Sequence, residues 1–366
     1  MAKGIYVGIG GVPYRAKPYI SVGGVPRKVK KAYVGVGGVP RLVFSEGIKY
    51  GGELDPLLGS GSTPSPSGDT NDTYAIFGCA STVSNSITAY SPSLVRTNPN
   101  LGLTNGRALA GATRIQDKVL FAGGENASGK YLSDVQGYDR ALVRTSLSYM
   151  PNGVYAPLAA SNSLSAIFAS GYKNATTNAV TTDVSGYNAN LTKNLSSNCP
   201  AKWPTASTSF ADHALFFFEY ADNIDECIAY NSSNVKLNFG PVGIPNRGIQ
   251  NAISLNNEYL LVGIVSNPIS GAIDVYNTSF TKVSQISLSD TRMYPTWSRF
   301  NEYSLAIGGR IGGSNWQKTV DYYDSYLIRD TFLMPTERYG MKCVQIGNSL
   351  ILAGGDYRST VEYLTQ

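Results

Sequence analysis

A pattern that returns every 40–49 residues constrains this chain more than any other feature. Its cleanest copy is residues 118–140, KVLFAGGENASGKYLSDVQGYDR. The continuous apolar run Val119-Leu120-Phe121-Ala122 reads as a strand covered on both faces, and Gly123-Gly124 stops it. After a loop, a second strand ends in Tyr138-Asp139. The tyrosine recurs at Tyr90, Tyr138, Tyr187, Tyr230, Tyr276, Tyr323 and Tyr363, and all but the last are followed by Ser, Asp or Asn. Upstream of each lies an apolar run: 75–77, 119–122, 166–169, 214–218, 259–262, 305–307 and 350–353. The Gly-Gly stop survives at Gly123-Gly124, Gly308-Gly309 and Gly354-Gly355 and is degraded in the other four units.

Between each tyrosine and the next apolar run come two more strand-like pieces. One is polar, as in 142–147 and 282–288. The other is rich in small residues, as in 108–115 and 252–255. Four short strands in about 45 residues match one blade of a β-propeller. Small residues suit the crowded innermost strand. Glycines suit the place where blades converge, because they accept positive φ. The fold expected is all-β, a seven-bladed propeller, with six blades if the first unit is irregular. The last unit runs out of chain before its outer strand, and an open edge there invites mispairing. Residues 47–54, GIKYGGEL, are expected to supply that strand and latch the ring. Residues 59–73 must then serve as the first inner strand or as a loop.

Residues 1–44 are different. Three near-copies begin at Ile5, Pro18 and Ala32, each with a Gly-Gly pair (Gly10-Gly11, Gly23-Gly24, Gly37-Gly38) followed by Pro13, Pro26 or Pro40. Each reads strand, glycine turn, strand. The chain carries a net charge of +5, and it is uneven: the arm holds Lys3, Arg15, Lys17, Arg27, Lys28, Lys30, Lys31 and Arg41 with no acidic residue. A basic arm on a near-neutral body suits docking onto an acidic surface. Small hairpins are marginal alone and need something to lie on. The domains expected are therefore 1–44, a basic hairpin-repeat anchoring arm, and 45–366, the propeller. Nucleic-acid binding is not expected, since no recognition helix is present and Tyr6, Tyr19 and Tyr33 are spaced for strands.

Charged residues make up only 15% of the chain, which suits short strands and polar loops better than long helices. Cys79, Cys199, Cys227 and Cys343 form no CxxC pair and read as isolated core thiols. No secretory signal is visible, and apolar runs such as 259–265 are far shorter than the ~18 residues of a membrane helix. No membrane insertion is expected.

Units such as FAGGENASGKYLSDVQGYDR and IGGRIGGSNWQKTVDYYDS resemble kelch repeats over residues 74–366. The usual outer-strand tryptophan is missing, since Trp297 and Trp316 fall elsewhere. The tandem YVGVGGVPRKVKKAYVGVGGVPRLVF arm resembles those of structural proteins of phages and prophages of Gram-positive bacteria, which place a kelch-like region behind it. The resemblance implies a virion protein of the tail or another surface appendage, several copies per particle. Its partners would be other virion proteins, held through Arg15, Lys17, Arg27, Lys28, Lys30, Lys31 and Arg41. A host-surface glycan or protein would be the ligand of the propeller.

The sequence offers little for catalysis. The single histidine, His213, heads an apolar strand, and no G-x-S-x-G elbow supplies a nucleophile. A copper radical oxidase on a kelch scaffold would use two histidines, and the Asp-box repeats of sialidase-like propellers are absent. Asp222, Asp225 and Glu226 read as a solvated loop rather than a glycosidase pair or calcium site. Arg107, Arg247 and Arg338 precede inner strands and read as structural residues bonding loop carbonyls, with an axial anion site as the alternative. No dinucleotide or P-loop fingerprint exists, so no cofactor or metal is expected. Binding is expected in the loops 125–132, 172–182, 220–225, 266–271 and 310–318, with Tyr172, Asn174, Tyr220, Asp222, Arg310 and Trp316 as candidates. The expected function is a non-enzymatic virion protein. A glycan depolymerase and a purely structural decoration protein are the alternatives.

Overall fold

The computed structural model describes the chain apart from residues 1–4, 10–11, 17–18, 23–24, 29–30, 37–38, 46, 58–65, 80–83, 175–178, 220–225, 242–247, 266–270, 313–314 and 356–359. It divides into two compact units, Met1–Lys49 with Thr365–Gln366, and Tyr50–Leu364. In the first unit, three two-stranded antiparallel sheets pair Ile5–Ile9 with Val12–Ala16, Tyr19–Val22 with Val25–Lys28, and Lys31–Val36 with Val39–Ser45. Arg15, Arg27, Lys28, Lys31 and Arg41 lie on these strands, and Lys17 and Lys30 lie outside the described residues.

The second unit is a seven-bladed β-propeller. Seven four-stranded antiparallel sheets follow one another among the described residues, and their first strands neighbour each other around a closed ring. Those inner strands are Ser67–Thr70, Gly111–Ile115, Leu158–Ser161, Trp203–Phe210, Gly248–Leu255, Thr296–Phe300 and Lys342–Ile346. Residues 67–70 thus give the first blade its inner strand. The seventh sheet takes its fourth strand, Lys49–Leu54, from the far end of the chain, beside Val361–Thr365. Strand direction sorts the connections. Turns within each hairpin emerge on one face. The loops between second and third strands, and the connectors between blades, emerge on the other, here the loop face.

The recurring tyrosine is an inter-blade staple. The hydroxyls of Tyr138, Tyr187, Tyr230 and Tyr323 donate to the carbonyls of Leu101, Ser148, Asn198 and Ser287, at or just beyond the preceding blade's outer strand. Tyr90 donates to Asp55, just past Lys49–Leu54, so the same bond crosses the ring closure. Within each of the first four blades the ring packs edge-on against a phenylalanine of the second strand: Phe77, Phe121, Phe168 and Phe216, at 6.1–6.3 Å. The residue after the tyrosine caps the next turn. One side-chain oxygen of Asp139, Asn188, Asn231, Asn277 or Asp324 accepts the N–H groups two and four residues on.

Tyr363 does not hold the seventh place in this series. Asp274, Asp321 and Glu362 are buried two residues before Tyr276, Tyr323 and Leu364. Leu364 therefore fills the core position, fully buried, while the Tyr363 ring lies over Gly51 and leaves no room for a Cβ there.

Three arginines are wholly buried among the described residues, Arg107, Arg292 and Arg338. Arg107 pairs with Asp134 and donates to the Gly123 carbonyl at 3.0 Å. Arg338 lies 2.8 Å from the Glu362 carboxylate and donates to the carbonyls of Gly354 at 2.7 Å and Thr360 at 3.2 Å. Arg292, unremarked in the sequence, does the same for Asp321 at 2.9 Å and Ala306 at 3.1 Å. Burial removes Arg107 and Arg338 from any axial anion site. Arg247 lies outside the described residues.

Candidate functional site

The loop face is built by one backbone device used with different side chains. At Gly123-Gly124, Ser170-Gly171 and Gly308-Gly309 two successive residues take positive φ (68° and 96°, 57° and 118°, 61° and 102°). A Cβ on Gly308 would stand 2.2 Å from the Arg338 carbonyl, and one on Gly124 2.6 Å from the Ala108 carbonyl. The close approach of the inter-blade connectors therefore requires glycine at these positions. Ser170-Gly171 keeps the backbone with one glycine lost, which hid it from pattern reading.

The next residue in each case, Glu125, Tyr172 or Arg310, is locked antiparallel to a connector. Paired N–H···O bonds of 2.8–3.0 Å join it to Ala108, Tyr155 or Met293. Three blades thus hold out a carboxylate, a phenol and a guanidinium from equivalent places.

Two aromatic clusters result. Across blades two and three, Tyr131, Tyr155 and Tyr172 form a row with ring centroids 5.7 and 6.2 Å apart. Burial pushes the phenols of Tyr155 and Tyr172 up, with Glu125 adding to the first and Glu219 to the second. Across blades five to seven, the Arg310 guanidinium lies over the rings of Tyr294 at 5.1 Å and Tyr339 at 5.5 Å. Trp316 is bridged to Arg310 through the backbone.

Tyr294 and Tyr339 also line an axial cavity of 550 Å³, walled by small and polar residues of all seven inner strands. Its charged lining residues are Asp69, Arg299 and Lys342. Burial in the wall pushes the Asp69 carboxyl up, while Lys342 opposes the shift. The cavity lining contains one carboxylate among the described residues, where glycoside hydrolysis needs two.

Of the sequence candidates, Tyr172, Arg310 and Trp316 stand on the loop face, Tyr172 in one cluster and the other two in the second. Asn174 ends the strand Tyr172–Asn174. Tyr220 and Asp222 lie outside the described residues. Tyr131, Tyr155, Tyr294 and Tyr339 escaped sequence reasoning. The available signal was a tyrosine two or three residues before the next inner strand, at 155, 294 and 339.

Other groups have quieter settings. The His213 ring sits 2.7 Å from the Ala211 carbonyl and packs edge-on against Phe280. Glu226 pairs with Lys202 at 3.0 Å. All four cysteines are free, and burial pushes the thiols of Cys79 and Cys343 up to about 12 and that of Cys199 to about 11. No helix among the described residues is long and apolar enough to cross a membrane.

No protein-family model and no curated protein matches the chain. Among solved structures it is similar to YjhT, at 14% identity and a TM-score of 0.52, over 76% of this chain and 99% of that one. It is similar to streptogramin B lyase, at 12% identity and a TM-score of 0.59, over 87% and 97%. It is also similar to a catalytically inactive virginiamycin B lyase from Staphylococcus aureus with quinupristin, at 14% identity and a TM-score of 0.59, over 87% and 100%. At such identities the likeness shows the fold alone.

Proposed function

We propose that this chain is a non-enzymatic binding protein of a phage particle. The arm fastens it to other virion proteins, and the loop face of the propeller holds a glycan of the host surface. The virion part rests on the likeness of the arm to phage structural proteins. One observation carries the binding part: two clusters of partly exposed aromatic rings, Tyr131–Tyr155–Tyr172 and Tyr294–Arg310–Tyr339, are held out by the same rigid backbone device. Aromatic rings and arginine supply large contact area at small entropic cost. Rigid loops bind without a further ordering penalty.

The test is sedimentation of the purified full-length protein with Gram-positive cell walls, with soluble sugar measured in the same tube. Binding that Tyr155→Ser weakens at least ~10-fold, with no sugar released, supports the reading. Catalytic release of reducing sugar would instead establish the depolymerase. Normal binding in Tyr155→Ser and Tyr339→Ser together would move the ligand off this face. For the arm, deletion of residues 1–44 is expected to abolish incorporation into particles, and normal incorporation would refute its anchoring role.

A further inference from the structure

The two aromatic clusters differ in charge, and the difference points to a ligand class. Arg310 has no carboxylate within ion-pair distance among the described residues, and its Nε is buried without a hydrogen-bond partner. By contrast Arg107, Arg292 and Arg338 each have an acidic partner. The Arg310 guanidinium carbon lies 5.1 and 5.5 Å from the Tyr294 and Tyr339 ring centres, and a guanidinium there offers a planar two-pronged donor.

Tyr294 is itself unusual. The residue after the bridged connector position takes positive φ before blades two, three and six, at Leu109 (52°), Ala156 (49°) and Tyr294 (53°), and Gly340 (69°) does so before blade seven. A bulky aromatic is strained in that conformation. Tyr294 is nonetheless 43% exposed, so it is not held in that conformation as a buried core residue. Behind the two tyrosines, Arg299 and Lys342 line the axial cavity, and neither forms an ion pair with a described carboxylate. Asp69 is the single carboxylate in that lining among the described residues, and burial pushes its pKa up.

We infer that Tyr294, Arg310 and Tyr339, with Lys342 behind them, form a site for an oxyanion on a saccharide or polyol chain. Arginine takes the oxyanion in bidentate fashion, the two tyrosine rings stack on the adjoining ring or chain, and Lys342 adds a second positive charge in the cavity. This rests on the reading that the loop face binds a surface glycan, and it narrows that glycan to an anionic one. A carboxylate and a phosphodiester both satisfy the site.

The experiment titrates the full-length protein with poly(glycerol phosphate), polygalacturonate and neutral dextran by calorimetry at low and moderate salt, alongside the cell-wall sedimentation assay. At least one anionic polymer is expected to bind and dextran is not, with affinity falling as salt rises. Whether the phosphate or the uronate polymer binds identifies the oxyanion. Arg310→Gln is expected to lose at least ~10-fold in affinity, the scale of a charge-assisted hydrogen bond. Arg310→Lys is expected to fall between, and Lys342→Gln to lower the affinity with unchanged thermal stability. Cell-wall binding without affinity for either anionic polymer would overturn this inference and leave the binding reading standing. Absence of both would overturn the two together. Salt-independent binding by the unmodified protein would also refute it, whether or not the variants fold.

Discussion

Arg338 tests the account of the blades most directly. Its guanidinium is wholly buried, 2.8 Å from Glu362, which is itself 1% exposed. It also donates to the Gly354 and Thr360 carbonyls and, at 2.9 Å, to the Thr360 hydroxyl. Arg338→Met strips Glu362 of its countercharge and leaves the Thr336 hydroxyl, at 2.9 Å, as its main support. Breaking a buried pair from one side costs about 3–5 kcal/mol. A propeller of roughly 300 residues changes by about 0.6 kcal/mol per degree near its midpoint, so this term alone should lower the melting temperature by about 5–8 °C. Two carbonyls also lose their donor, at about 1–3 kcal/mol each where no water reaches them. The double variant Arg338→Met with Glu362→Met removes both charges but leaves those carbonyls unpaired. It should recover about half of the loss. Calorimetric melting of the wild type, both single variants and the double variant forms a complete cycle. A double variant as unstable as Arg338→Met would show that the stranded carboxylate is not the source of the cost. Full recovery would show that the carbonyl bonds carry no weight.

Other expectations follow from the same geometry. Tyr187→Phe, which removes the 2.8 Å bond to Ser148, should cost about 1 kcal/mol in chemical denaturation, whereas Tyr363→Phe should stay within about 0.5 kcal/mol of wild type; equal losses would contradict the placement of Leu364 in the core series. Gly308→Ala should destabilise by at least ~2 kcal/mol, since φ is 61° and the new Cβ meets the Arg338 carbonyl, while Ser170→Gly at φ 57° should stabilise by about 0.5–1 kcal/mol. The same denaturation curves decide both, and a stabilising Gly308→Ala would refute the shared backbone device. With the Cys79 and Cys343 thiols pushed up to about 12, only about one in ten thousand is ionised at pH 8, and only the thiolate reacts. Iodoacetamide should therefore leave native protein unlabelled at these two positions by mass spectrometry and label them after denaturation; rapid native labelling would contradict the raised thiol pKa values.

Much of the propeller was legible because its signals are local. A strand covered on both faces must be apolar along its length, as 119–122 is, and two successive left-handed residues select Gly-Gly at 123–124 and 308–309. An Asp or Asn after the tyrosine caps the turn within four residues, so it repeats as faithfully as the turn does. These short-range demands carried the period, the blade count and the place of the loops. Where a position is decided by what meets it from another blade, the pattern failed. Tyr363 matched the motif by type, yet Leu364 fills the core, because the strand's alternation and Gly51 across the sheet set which face turns inward. Arg292 was passed over although it stands four residues before its inner strand, as Arg107 and Arg338 do; beside the local Asp290, its partners Ala306 and Asp321 lie 14 and 29 residues away. The candidate site shows the same division. Sequence alone marked the loops and singled out Tyr172, Arg310 and Trp316. Only the closed ring brings Tyr294 and Tyr339, from two connectors 45 residues apart, onto one guanidinium at the mouth of the axial cavity. Such a site depends on the angle between neighbouring blades, and that angle is set by packing summed over the whole ring.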